Sequence, residues 1–383
     1  MKLVLFFTRG ISLKIWLDKG LFDREKLIYE EHLKRGNLQK VYWITYGTKD
    51  GEIANELKHV GRLHKDIEIL SMPKVFDSKF GKIVYSFLIP LIHRKILRQV
   101  DILKTNQMDG SWSAVITKWI YKKPLVVRTG YTWSQLEEKL NRKSQVVIWI
   151  IKLMEKFSYK YADVAIIASK HDKDYVTNNY NPKEIKVIYN YIDLGQFRPV
   201  ITLKGYPNKV VYVGRLSNEK NLFNLIKAIA KLDLTLDIYG SRELEGELKK
   251  EAERLNAKVN FCGVIPNKDL PGVLNKYKYF ILPSYFEGMP KSLLEAMACG
   301  LLCIGTNVEG INEVIEDGKT GILAYSTDAQ ALTEALKRAI TLDDRTYTKI
   351  SENARGLIEE KFSLPSCVEK EREIFEFLIR CKC

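Results

Sequence analysis

With 383 residues the chain is too long for one ordinary core, and two domains of about 150–200 residues are the natural prior. A hydrophobic content of 46% with 28% charged residues excludes a disordered chain, and no run approaches the ~18–20 apolar residues of a spanning helix. The formal charge of +14 is uneven: residues 1–195 hold 34 Lys/Arg against 21 Asp/Glu, a net of +13, which leaves +1 for 196–383. That asymmetry points the first half towards an anionic partner.

The chain opens on KLVLFF (2–7), whose five-residue apolar run is shorter than the ~7–15 residues of a secretory h-region and reads as a buried strand. Further candidate strands are KVYWIT (40–45), PLVVR (124–128) and VAIIAS (164–169). The second half adds KVVYVG (209–214), LDIYG (236–240), YFILP (279–283) and LLCIG (301–305). Helical stretches separate many of them, and such alternation argues for parallel α/β sheets built from βαβ units. LGQFRPVITLKGYPN (194–208), with two prolines and two glycines, marks the domain boundary. An amphipathic stretch, LPSCVEKEREIFEFLIR (364–380), closes the chain. The six cysteines (262, 299, 303, 367, 381 and 383) show no disulfide-like framework, so a reducing cytosol is the simplest context and the terminal C-x-C reads as incidental thiols.

Basic residues in the first half interleave with large apolar ones, as in GKIVYSFLIPLIHRKILRQV (81–100) and VVIWIIKLMEKFSYKYA (146–162). Helices of this kind can lie at an anionic bilayer surface. The alternative is that they bury their apolar side in the core while the lysines solvate the rest. No recognisable nucleic-acid-reading module accompanies the charge, so nucleic acid is not an expected partner.

The densest chemistry lies in FEGMPKSLLEAMACG (286–300), where Glu287 and Glu295 stand eight positions apart. FILP (280–283) before it is of strand length, Pro290 suits a first helical turn, and Gly300 stands where helices stop. A strand, a loop and a helix N-terminus aim backbone N–H groups at one point, which suits a phosphate, and the carboxylates are suited to sugar hydroxyls. The same spacing is also met by a helix with one capping-side and one exposed glutamate. In KVVYVGRLSNEKNL (209–222), Arg215 follows a strand directly and can fork onto phosphate oxygens, with Lys220 adding a point charge.

Together these two segments resemble the family 4 glycosyltransferases of the GT-B fold: the second resembles the donor-phosphate motif and the first the E-x7-E signature. KVIYNYIDLGQFRP (186–199) resembles the segment entering the interdomain linker. The resemblance implies two Rossmann-like parallel-sheet domains facing across a cleft. Residues 1–195 form the acceptor side, 196–363 the nucleotide-sugar side, and helix 364–383 crosses back. It implies a retaining transfer of a hexose-type unit, with the departing phosphate taking the acceptor proton and no essential metal or other cofactor. Glu287, Arg215 and Lys220 become the catalytic set. Glu295 would hold the ribose, and Gly288, Met289, Pro290 and Lys291 would meet sugar and phosphate through the main chain. Gly214 and Gly240 would line the donor loops, and Ile265 in FCGVIP (261–266) the base.

On the acceptor side Gly10 and Arg128 are the candidates. Many relatives carry paired glycines where this chain has Arg9 and Gly10, and a histidine where it has LVVRTGYTWS (125–134). The expected partners are a nucleotide-sugar, a lipid-linked or saccharide acceptor and an anionic membrane surface, with the protein peripheral at the cytoplasmic face of the plasma membrane. A nucleotide-sugar 2-epimerase of the same fold and an inert binding subunit are the alternatives.

Overall fold

The computed structural model describes the chain except residues 141–142, 201–205, 242 and 382–383, so part of the expected linker and Cys383 lie outside the described residues. The chain divides into two compact units, Met1–Ile188 with the C-terminal helix from Cys367 onward, and Tyr189–Ser366. The division falls somewhat before the boundary read from the sequence.

The first unit holds seven parallel strands: β1 (Lys2–Phe6), β2 (Lys40–Ile44), β3 (Ile67–Leu70), β4 (Ile102–Thr105), β5 (Leu125–Thr129), β6 (Val164–Ile167) and β7 (Ile185–Val187). Their order is β3-β2-β1-β4-β5-β6-β7, a doubly wound sheet with its switch point between β1 and β4. Helices cover both faces, so the inner strands lose both sides to the core and read as continuous apolar runs. On one face Phe6, Ile44, Leu103 and Val127 pack with Tyr85, Ile89 and Tyr159 from the helices Lys79–Ile92 and Gln145–Tyr161. On the other, Trp43 meets the rings of Phe7, Trp16 and Tyr29.

Strand alternation sends Lys104, the neighbour of Leu103, to this second face. There its Nζ donates to both oxygens of Glu371, at 2.6 and 2.7 Å. Glu371 sits on the helix Leu364–Arg380 and is fully buried, and His32 Nε2 meets its second oxygen at 3.3 Å. Burial resists the charge on Glu371, but the Lys104 ammonium and the His32 hydrogen bond more than offset it and hold the carboxyl down to about 2.

The second unit holds β8 (Tyr206–Val213), β9 (Thr235–Tyr239), β10 (Val259–Gly263), β11 (Tyr277–Leu282), β12 (Leu302–Thr306) and β13 (Ile322–Ala324). The order β10-β9-β8-β11-β12-β13 is again parallel, with the switch point between β8 and β11. Val211, Tyr212, Phe280, Ile281 and Ile304 at its centre are all fully buried. The segment expected as a base-facing loop, 261–266, is a loop only from Val264 on, because Phe261–Gly263 extend β10 against β9. Pro290 is the N-cap of the helix Lys291–Ala298 rather than a residue of its first turn. Gly300 follows that helix at φ +81, a left-handed stop open to glycine.

Candidate functional site in the second unit

Two loops leave the carboxyl ends of β8 and β11, the strands that flank the switch point, where open α/β sheets gather their ligands. The first runs from Gly214 to Asn221. Tyr212 reaches beneath its turn to donate to the Arg215 carbonyl at 2.8 Å. A Cβ on Gly214 would lie 2.5 Å from that hydroxyl, and one on Gly240, at the end of β9, only 1.9 Å from the Gly214 carbonyl. Both glycines are therefore fixed by close approach of backbone and ring. Asn221 at φ 57 ends the loop and donates to the carbonyls of Pro283 and Thr327, at 2.9 and 2.7 Å, tying it to two neighbours.

The second loop, Pro283–Pro290, carries Glu287. Ser284 Oγ donates to Glu287 Oε1 at 2.6 Å, and Lys220 Nζ reaches the same oxygen at 2.5 Å. The pair is 11% exposed on each side chain, enclosed but open to a ligand. Arg215 stands further out and pairs with Glu219 at 3.1 Å. Burial opposes the charge on Glu219, yet hydrogen bonds from Ser217 and its own backbone, with Arg215 and Lys220 nearby, lower its pKa. Gly310 at φ +78 backs the Glu287 loop: a Cβ there would fall 2.2 Å from the Gly288 carbonyl.

Glu295 is buried on the helix Lys291–Ala298, and Asn267 Nδ2 donates to it at 3.0 Å. Asn267 lies in the loop after β10, beside half-buried Ile265, and its carbonyl accepts from Gln196 at 2.9 Å. Met289 is buried and Lys291 opens the helix. The second unit thus gathers Gly214, Arg215, Lys220, Gly240, Ile265, Glu287–Lys291 and Glu295 at the carboxyl edge of one sheet. The two cations and the helix N-terminus suit a diphosphate, and the two carboxylates suit hydroxyl groups.

Sequence reasoning misses Ser284, Asn267 and Gly310. A serine three positions before Glu287 is the one visible signal, whereas Asn267 and Gly310 reach the site from distant segments.

In the first unit Gly10 follows β1 at φ +78, and a Cβ there would meet nothing within 4 Å. Within that unit the left-handed turn, not close approach, requires the glycine. Arg9 beside it donates from Nε to Asp109 at 2.9 Å, joining the loops after β1 and β4 at the other switch point. Arg128 is half-buried at the end of β5. Burial disfavours its charge, but the Glu371 carboxylate more than compensates and raises its pKa. Among the described residues no three His, Cys, Asp or Glu side chains gather as a metal would need, and no helix is long and apolar enough to cross a membrane.

Two doubly wound units with a charged array at the switch point of the second define an α/β protein of GT-B type. Comparison gives that class its family. The model described as Glycosyltransferase Family 4 matches residues 31–196, and that described as Glycosyl transferases group 1 matches 195–357. The chain belongs to the family 4 glycosyltransferases.

Among its relatives is the UDP-Gal:alpha-D-GlcNAc-diphosphoundecaprenol alpha-1,3-galactosyltransferase of Escherichia coli, 29% identical over 72% of this chain and 75% of that protein. Another is the GalNAc-alpha-(1->4)-GalNAc-alpha-(1->3)-diNAcBac-PP-undecaprenol alpha-1,4-N-acetyl-D-galactosaminyltransferase of Campylobacter jejuni, 25% identical over 79% and 83%. Among solved structures, the sucrose-phosphate synthase of Thermosynechococcus elongatus superposes with a TM-score of 0.77 over the whole of both chains at 17% identity, a likeness of fold.

Proposed function

We propose that this glycosyltransferase moves a hexose-type sugar from a nucleotide-sugar to a lipid-linked glycan precursor, or another membrane-associated acceptor, in surface-polysaccharide synthesis. The observation that carries the reading is the contact of Lys220 with Glu287 across the switch point, with Arg215 and Glu295 on the same sheet edge. Arg215 and Lys220 hold the diphosphate and neutralise the leaving group, an electrostatic role that needs no metal. Glu287 binds hydroxyls of the transferred sugar, the main chain of Gly288–Lys291 meets sugar and phosphate, and Glu295 takes the ribose. The bond from the anomeric carbon to the donor phosphate oxygen breaks. The acceptor oxygen bonds to that carbon from the same face, and its proton passes to the departing phosphate, so configuration is retained. Gly10 and Arg128 serve the acceptor side.

The undecaprenol-linked substrates in the names of the two bacterial relatives support a lipid-linked acceptor. The basic first half supports work at the anionic, cytoplasmic face of the plasma membrane. Thermal unfolding with UDP, GDP, ADP and CMP tests the donor site. A nucleotide at about 100 times its dissociation constant adds ~2.7 kcal/mol, and one of the four is expected to stabilise selectively. Stabilisation by none of them would overturn the reading in favour of an inert subunit.

A further inference from the structure

Two helices of the first unit are apolar on both sides. The helix Lys79–Ile92 buries Tyr85 and Ile89 and turns Phe80, Ile83, Phe87 and Leu91 outwards, with Phe80 75% and Leu91 61% exposed. Their spacing of three and four places them on one stripe. The helix Gln145–Tyr161 likewise buries Ile148 and Ile151 while Val146, Trp149, Ile150 and Leu153 face solvent, Trp149 at 61%. Between them packs the helix Ser111–Tyr121, which exposes Trp119 and Ile120. The joints are specific: Trp112 donates to Ser86 at 3.0 Å, and Ser111 meets Ser158 at 2.6 Å. Large apolar side chains gathered on neighbouring helices mark an interaction surface.

The charges beside it choose the partner. Residues 78–100 carry Lys79, Lys82, Arg94, Lys95 and Arg98, and residues 110–123 three lysines. Lys82 pairs with Asp77 and Lys118 with Asp163, while the exposed Lys79, Arg94, Lys95 and Arg98 supply the charge of the surface. A second copy of this face would bring like charges together, whereas lipid phosphates complement them. Of the described helices none can span a bilayer, so the face lies on it.

We propose that the chain docks on anionic bilayers by inserting the outer faces of the helices Lys79–Ile92 and Gln145–Tyr161 among the headgroups, where the flanking basic residues meet lipid phosphate. This rests on the reading of a membrane-associated acceptor. It adds an apolar component to adsorption by charge alone, and the two components respond differently to salt.

The test measures sedimentation of the full chain with phosphatidylglycerol–phosphatidylcholine vesicles at low salt and in ~1 M salt, where charges are screened beyond about 3 Å. The wild type is expected to bind strongly at low salt and to keep a residual affinity in ~1 M. A Phe87→Ser, Trp149→Ser variant should lose that residual, each ring removed costing about tenfold. A Lys95→Gln, Arg98→Gln variant should keep it while losing part of the low-salt gain. Binding that vanishes in ~1 M salt, or a ring variant that binds as the wild type does, overturns insertion. So does a wild-type dimer in light scattering that the ring variant makes monomeric without any vesicle binding.

Nucleotide-induced thermal shifts on the same proteins separate the two readings. An intact shift without insertion removes only the docking, and insertion without any shift removes only the transferase assignment. The four substituted side chains are exposed, so an unchanged melting temperature confirms the fold of each variant.

Discussion

Two of the lysine–glutamate pairs, Lys104–Glu371 and Lys220–Glu287, share their chemistry and differ in their surroundings. Lys104 and Glu371 are fully enclosed in the first unit, with His32 meeting the carboxylate and aromatic rings of Tyr29 and Phe375 around the ammonium. Every partner there is supplied by the fold, and the pair fixes the C-terminal helix against the sheet. Lys220 and Glu287 sit instead at the ends of two strands, partly open, with Ser284 beside them. Surroundings, not residue type, separate an enclosed strut from a pair that a ligand could reach. A buried charge pair is costly to break, whereas a half-open pair can exchange one partner for a phosphate or a sugar.

The strut gives the largest expected effect. Glu371→Ala should destabilise the protein by ~3–5 kcal/mol, because it strands the Lys104 ammonium in the core. Chemical denaturation measures this, and a loss below about 1 kcal/mol would break the comparison. Adding Lys104→Met to that variant should recover much of the loss.

Next comes Glu287→Gln, which keeps the shape and the Ser284 contact but removes the charge. Transfer should fall by roughly 10²–10³ while the melting temperature stays near that of the parent. Unimpaired turnover with the cognate nucleotide-sugar would remove Glu287 from the catalytic set. Arg215→Ala should weaken nucleoside diphosphate binding by ~1.5–3 kcal/mol, read by calorimetry. No change would place the guanidinium in solvent.

The smallest effect is a titration in the first unit. Burial lowers the His93 pKa to about 4, and the Tyr85 hydroxyl lies 2.8 Å from its Nε2, an arrangement that suits neutral imidazole. The folded value lies below the ordinary 6.5, so the unfolded chain binds more protons between those limits. This contribution to stability is complete above pH 6.5 and declines as pH falls towards 4. Wild type should lose about 1 kcal/mol between pH 7 and 5.5 that His93→Gln does not lose. Parallel pH curves for the two proteins would contradict a neutral, half-buried imidazole.

The two loops of the second unit are legible in the amino-acid sequence because they are local. Strand, glycine, arginine and lysine follow one another within KVVYVGRLSNEK, and the two glutamates fall within one short segment. The contact of Lys220 with Glu287 is not legible there, since it joins residues far apart in the chain that meet only because β8 and β11 are neighbours. Asn267 reaches Glu295, and Gly310 backs the Glu287 loop, for the same reason. The outward stripes have two open readings in the sequence. The structure shows both at once, an apolar face in the core and another in solvent.

By itself the sequence determined all but one of the inner strands, the parallel α/β class and the motifs of the second unit. Those strands are covered on both faces, so burial leaves its mark as unbroken apolar runs. Five strands escaped it. Four of them, β3, β7, β10 and β13, are the edges of the two sheets, short or half exposed, where the apolar signal thins. The fifth, β4, is central but carries Lys104 in its middle, a residue that argues against a buried strand until its partner is known. That partner lies 267 positions away on the last helix. Only the tertiary structure could decide it, because the electrostatics that permit a lysine in a core depend on which distant carboxylate folding brings against it.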